Sequence, residues 1–193
     1  RGHGLGLRRL GQLNGFRQHL WGQHAVDAIG GQQKVIADLY INLHIGDIDA
    51  PVHAECTNQL IFVTGASSGI GQALAWRYYQ AGFSLALVAR RTDEIQAWAR
   101  QQGLDPARYQ IYGADVAVVD SIVAAAQLCL QKQGVPDVVI ANAGVSIGMD
   151  SAVRGDLDVL ARTFAINNVG LAATFHAFID PMVQRGSGAL VGI

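Results

Sequence analysis

The stretch TGASSGIG, Thr64 to Gly71, carries glycines at positions 65, 69 and 71 with Ser67 and Ser68 between them. It follows a short apolar run, Leu60 to Val63, and precedes QALAWRYYQAG, whose apolar residues recur at helical spacing and stop at a glycine. A strand that turns sharply into a helix leaves several backbone N–H groups unpaired at the positive end of the helix dipole. Glycine lets a pyrophosphate approach that backbone closely. The chemistry on offer is therefore the anchoring of a dinucleotide. In another context the same Gly-x-x-x-Gly-x-Gly spacing makes only a tight turn.

The next apolar run ends in VARR, about 20 residues beyond the glycines, where a dinucleotide fold meets the adenosine ribose. Asp or Glu at that place accepts the 2′-hydroxyl of NAD, whereas Arg accommodates the 2′-phosphate of NADP. The chain offers Ala89, Arg90 and Arg91, and no acid. Two guanidiniums able to make forked bonds to phosphate favour NADP(H) over NAD. The competing reading is a pair of solvated arginines at a helix start.

A third residue stands out because its placement is costly. Leu157, Leu160, Phe164, Leu171, Phe175 and Phe178 form an apolar stripe that predicts one long helix, and Asn167 falls within it at a position expected to be buried. A buried amide needs partners and competes with helix hydrogen bonding. His176, on the same helix, is expected to pack or face solvent.

The elements that must position these residues follow a repeated pattern. SLALVA precedes TDEIQAWARQQG, YQIYGA precedes VVDSIVAAAQLCLQKQG, DVVIANAG precedes the long helix, and GALVGI closes the series. Apolar runs that do not alternate are buried on both faces, and helices between them make crossovers. The expected fold is α/β, a Rossmann-like doubly wound parallel sheet that stops after its fifth strand.

Composition narrows the partners. Lys+Arg 14 against Asp+Glu 15 gives no basic field for nucleic acid or anionic lipid. No apolar run approaches the roughly 18 residues of a membrane helix. Cys56 and Cys129 share no short motif, so neither a disulfide framework nor a zinc site is indicated, which suits a cytoplasmic protein. Residues 1 to 57 differ from the rest: five of the six histidines lie there and no serine does. They read as an unassigned amino-terminal extension, non-native or disordered, ahead of an NADP-binding domain over 58 to 193. His44, Asp47, Asp49, His53 and Cys56 follow no ligand spacing, so no metal is expected.

Taken in order, TGASSGIG, then ADV with Asp115, then ANAG over Asn142 to Gly144, then INNVG with Asn167, resemble the short-chain dehydrogenase/reductase family. The resemblance covers about residues 58 to 193, the amino-terminal half to two-thirds of a member's catalytic domain. It implies that Thr64 and Gly65 open the cofactor turn, that Ser67, Ser68 and Ile70 line it, and that Gly69 and Gly71 let the helix start under the pyrophosphate. Asp115 and Val116 are similar to the pair that meets the adenine ring. Asn142, Ala143 and Gly144 resemble the motif that steadies the central sheet and borders the cofactor ribose. Asn167 matches the family's catalytic asparagine, which perturbs its helix, with Gly170 three places after it.

The resemblance further implies hydride transfer between cofactor and an alcohol or carbonyl substrate, in a homo-oligomer paired through the long fourth helix and its successor. The family's serine and Tyr-x-x-x-Lys pair are absent from these 193 residues. The stretch is thus expected to be a fragment that binds NADP(H) without turnover. The alternative is a non-catalytic nucleotide-binding module.

Overall fold

In the computed structural model, which describes residues 59–193, the apolar runs become five strands: β1 (Leu60–Thr64), β2 (Ser84–Ala89), β3 (Tyr109–Gly113), β4 (Val138–Ala141) and β5 (Ala189–Gly192). All pair in parallel, in the order β3-β2-β1-β4-β5. β1 and β4 are buried at every position and β2 at all but its first, which is why their sequences are continuous apolar runs. From β1 the chain winds outward to β2 and β3, then crosses back to β4 on the other side. The carboxyl ends of β1 and β4 therefore flank the point where strand order reverses, the place where open α/β sheets leave a crevice.

The crossovers are α1 (Gly69–Gln80), α2 (Thr92–Gln101), α3 (Val119–Lys132), α4 (Asp156–Phe164) and α5 (Gly170–Arg185). Two apolar layers result, one on each face of the sheet. Leu74 and Tyr78 of α1 and Ile95 and Trp98 of α2 pack on Ile61, Val63, Leu85 and Leu87. Ile122 and Cys129 of α3 and Phe178 and Met182 of α5 pack on Phe62, Val88 and Val139. The Phe62 and Phe178 rings meet edge to face at 4.8 Å, and both are fully buried. Burying each such side chain stabilises by about 1.5–3 kcal/mol. At the opposite end from the crevice, the Arg185 guanidinium donates to the carbonyls of Val135 and Pro136, both at 2.7 Å, and lies 3.3 Å from Asp137. Asp137 in turn accepts from the Leu60 N–H at 2.8 Å, so one cluster joins the end of α5 to the starts of β1 and β4.

The helix after β4 departs from the single regular one that the apolar stripe predicts. The long helix is not uniform: α4 passes through a π-helical turn, Ala165–Val169, before continuing as α5. The extra residue in that turn rotates the two halves relative to each other. Leu157 and Phe164 are exposed because α4 buries none of its residues, Leu171 and Phe175 are half-buried, and the inward positions are Ile166, Gly170, Ala173, Thr174, Phe178 and Met182. Asn167 is half-buried rather than buried, and His176 faces solvent.

Readings that fall on residues 1 to 57, including Cys56 and the histidine-rich segment, lie outside the described residues. Among the described residues no group of His, Cys, Asp and Glu is placed to hold a metal ion, and no helix is long and apolar enough to cross a membrane.

Three buried acids make the fold sensitive to alkali. Burial pushes the Tyr78 hydroxyl up to about 12 and the Cys129 thiol from 9.0 up to about 12. Burial, and then the neighbouring Cys129, raises Tyr112 as well. A raised folded-state pKa means stability that is complete below the unfolded value and lost as pH climbs towards the folded one. Urea midpoints should therefore hold up to about pH 8.5 and fall steadily beyond, with about 3–4 kcal/mol gone by about pH 10.5. A midpoint unchanged over that window would contradict the burial of these groups.

Candidate functional site

At the carboxyl end of β1 the chain turns through Gly65, at φ 70°, and reaches α1 through Gly69, at φ 59°. Both angles lie where side chains are rarely tolerated. Gly71 serves a different purpose, close packing. A Cβ there would collide with the Gly65 carbonyl oxygen and stand 2.6 Å from Asn142 Nδ2. The turn is tied to β4 by a clamp centred on Thr64, which is 1% exposed. Its hydroxyl oxygen accepts from the backbone N–H groups of Asn142 and Ala143, each at 3.0 Å, while Asn142 Nδ2 donates to the Thr64 carbonyl at 3.0 Å. The ends of β1 and β4 are thereby fixed side by side.

The start of α1 is left open for an anion. Ser68, in extended conformation at the cap, makes no side-chain capping bond, and the first turn contains no acid. By contrast, α2, α3 and α4 begin with Asp93 and Glu94, with Asp120, and with Asp156 and Asp158. Unsatisfied N–H groups and an uncompensated helix dipole together favour a phosphate.

This turn forms one wall of a cleft of about 370 Å³. Gly65, Ser67, Ser68 and Ile70 line that wall, and Ala89, Arg90 and Arg91 lie at the end of β2. Ala114, Asp115 and Val116 follow β3, Asn142 to Val145 follow β4, and Ile166 closes the floor. Gly69, Gly71 and Asn167 do not line the cleft; they shape the segments that do. Ala114, Val145 and Ile166 were not foreseen from the sequence. Val145 directly follows the ANAG motif, whereas Ile166 is the buried residue of the π-helical turn.

The charges are few and solvent-exposed. Arg90 Nη1 lies 3.8 Å from Asp115 Oδ2, and Arg91 Nη1 lies 2.8 Å from Glu94 Oε1, within the first turn of α2. Exposed pairs of this kind contribute about 0–1 kcal/mol each. The other Asp115 oxygen accepts from the Ala117 N–H at 3.0 Å, closing a local turn that presents Val116 to the cleft.

Asn167 acts on the opposite wall. Its Oδ1 accepts from the Val145 N–H at 2.9 Å and its Nδ2 donates to the Val145 carbonyl at 2.8 Å. The amide thus pairs with Val145 as a neighbouring strand would, which satisfies both groups and holds the segment after β4 against the π-helical turn. One helical turn later, a Cβ on Gly170 would stand 2.6 Å from the Val116 carbonyl oxygen. The missing side chain lets α5 press on the loop after β3, a role that spacing alone does not reveal.

The residues fit a dinucleotide: an open helix start and glycine backbone for a pyrophosphate, guanidiniums at the end of β2, and small or apolar groups between. Comparisons with known proteins agree. The family profile of the short chain dehydrogenases matches residues 59–193. A Drosophila melanogaster dehydrogenase/reductase SDR family protein 7-like is 34% identical over 134 residues, 67% of this chain and 41% of the relative. The NADP-dependent 3-hydroxy acid dehydrogenase YdfG of Salmonella typhi is 27% identical over 69% of this chain and 53% of its own length. Among solved structures, an alcohol dehydrogenase from Thermococcus sibiricus complexed with 5-hydroxy-NADP superposes with a TM-score of 0.62 at 27% identity, covering 69% of this chain and 57% of that one. This chain spans about half the length of the curated relatives it matches. From the profile match and the parallel sheet built around this cleft, the chain belongs to the short-chain dehydrogenase/reductase family.

Proposed function

We propose that this chain is the cofactor-binding part of an NADP(H)-dependent oxidoreductase that moves hydride between the nicotinamide and an alcohol or carbonyl substrate. The observation that carries the reading is the pairing of an acid-free, uncapped α1 start with two arginines at the end of β2 on the same cleft. Similar proteins named as an NADP-dependent 3-hydroxy acid dehydrogenase and a sulfoacetaldehyde reductase support the reaction class. The nicotinamide, when bound, supplies or accepts the hydride.

The residues of this chain bind and orient. Backbone groups from Gly65 to Gly71 hold the pyrophosphate, Arg90 and Arg91 take the 2′-phosphate, Asp115 and Val116 border the adenine, and Asn142 to Gly144 border the ribose. Asn167 positions Val145 at the far end of the cleft. Proton transfer calls for the serine and the Tyr-x-x-x-Lys pair that these residues lack, so the stretch by itself binds cofactor without turnover. A cytoplasmic setting agrees with the free, buried Cys129. Homo-oligomers that pair in part through the long helix made up of α4 and α5 agree with the exposed Phe164, Ile179 and Val183 on it.

Calorimetric titration with NADPH and NADH tests the cofactor reading. NADPH should bind about ten-fold or more tightly, and replacing both Arg90 and Arg91 by alanine should bring the two affinities together. Tighter binding of NADH by the unaltered chain would overturn it.

A further inference from the structure

The two arginines at the cleft are not equivalent. Arg90 faces Asp115 at 3.8 Å, across an oxygen whose partner oxygen is already held by the Ala117 N–H. Arg91 instead makes a close pair with Glu94 at 2.8 Å, and Glu94 belongs to its own helical turn. Arg91 lines the cleft and Glu94 does not, with side chains 59% and 39% exposed. A guanidinium carries five N–H donors in a fixed fork, so one edge can stay on Glu94 while another accepts an anion from the cleft.

We infer that Glu94 sets how strongly this site discriminates adenosine nucleotides that carry a 2′-phosphate from those that do not, holding Arg91 in place through its oxygen while opposing the incoming phosphate through its charge. The inference rests on the cleft being an NADP(H) site. A phosphate dianion on Arg91 lies well within a Debye length of the Glu94 carboxylate, so the repulsion is felt even at physiological salt. Asp93 and Glu94 also offset the positive end of α2. Against this, fixing one arginine saves only the rotamer entropy of a single side chain. The charge outweighs the orientation, and Glu94 is a brake on phosphate binding.

The test uses the full 193-residue chain and two probes, 2′,5′-ADP and 5′-ADP, titrated by calorimetry at low and at physiological salt. Glu94→Gln keeps an oxygen for Arg91 and removes the charge. It should tighten 2′,5′-ADP about two- to five-fold, move 5′-ADP by less than about 1.5-fold, and show a smaller gain as salt is added. Glu94→Ala, which removes the oxygen as well, should gain less than Glu94→Gln. Asp93→Asn removes the same charge from the same turn and should give less than half the effect.

Unchanged or weaker binding of 2′,5′-ADP by Glu94→Gln overturns the inference. So does an equal gain for both nucleotides, or an Asp93→Asn variant that reproduces the full effect. If the unaltered chain binds 5′-ADP as tightly as 2′,5′-ADP, the NADP(H) reading itself fails, and that outcome is visible before any variant is made.

Discussion

Replacing Gly71 with alanine should abolish dinucleotide binding and lower stability by about 2–3 kcal/mol, the upper part of the range for overpacking a well-filled site. A methyl group there meets the Gly65 carbonyl and the Asn142 amide nitrogen. Both are fixed, the first by the left-handed turn at Gly65 and the second by its hydrogen bond to the Thr64 carbonyl. Neither is the far end of a flexible side chain, so α1 must shift. That moves the open N–H groups off the position that receives a pyrophosphate. Urea unfolding and NADPH titration of the same variant separate the two effects. The contrast is Gly82→Ala: a Cβ there meets nothing within 4 Å, although its φ of 96° strains the backbone. It should lose stability while retaining NADPH affinity, whereas Gly71→Ala should lose both. Full NADPH binding by Gly71→Ala would show that the close approach of helix and turn is not what holds the site.

The second large effect is expected from Thr64→Val, which keeps the shape of a buried side chain and deletes one oxygen. That oxygen accepts from two backbone N–H groups, those of Asn142 and Ala143, and Thr64 is 1% exposed. Leaving a buried donor unsatisfied costs about 1–3 kcal/mol, and Asn142 and Ala143 are half-buried, so a loss of about 2–4 kcal/mol is expected for the two. The damage should reach the cleft, because Asn142 and Ala143 form its lining beyond β4. Thr64→Ser retains the oxygen and should recover most of the stability, missing only one methyl group in the core. If the valine and serine variants unfold at the same urea concentration, the two hydrogen bonds are not what joins β1 to β4.

These two positions show how much was legible beforehand. The strands could be read because strands buried on both faces must be continuous apolar runs, and SLALVA became β2 over the same residues. The glycine turn could be read because left-handed backbone at Gly65 and Gly69 excludes nearly every other residue. Arg90 and Arg91 stand in the cleft because the end of a strand fixes where the next residues emerge. The helix after β4 is only partly legible. Its apolar stripe suggests burial of Leu157 and Phe164, but α4 buries none of its residues, and the buried face begins with Ile166 in the π-helical turn.

The sequence by itself determined the order of elements, the parallel winding and the places where the chain can meet a phosphate, because each depends on local periodicity, backbone permission or side-chain charge. Only the tertiary structure decided the pairwise distances on which the site depends. Gly71 is required by the Gly65 carbonyl and Gly170 by the Val116 carbonyl, segments that meet only when helix and loop pack. Asn167 is satisfied by Val145, 22 residues away, and Thr64 by residues 78 and 79 positions on. Such contacts have no periodicity to announce them: hydrogen-bond satisfaction and close packing are settled between surfaces, after the elements have formed and met.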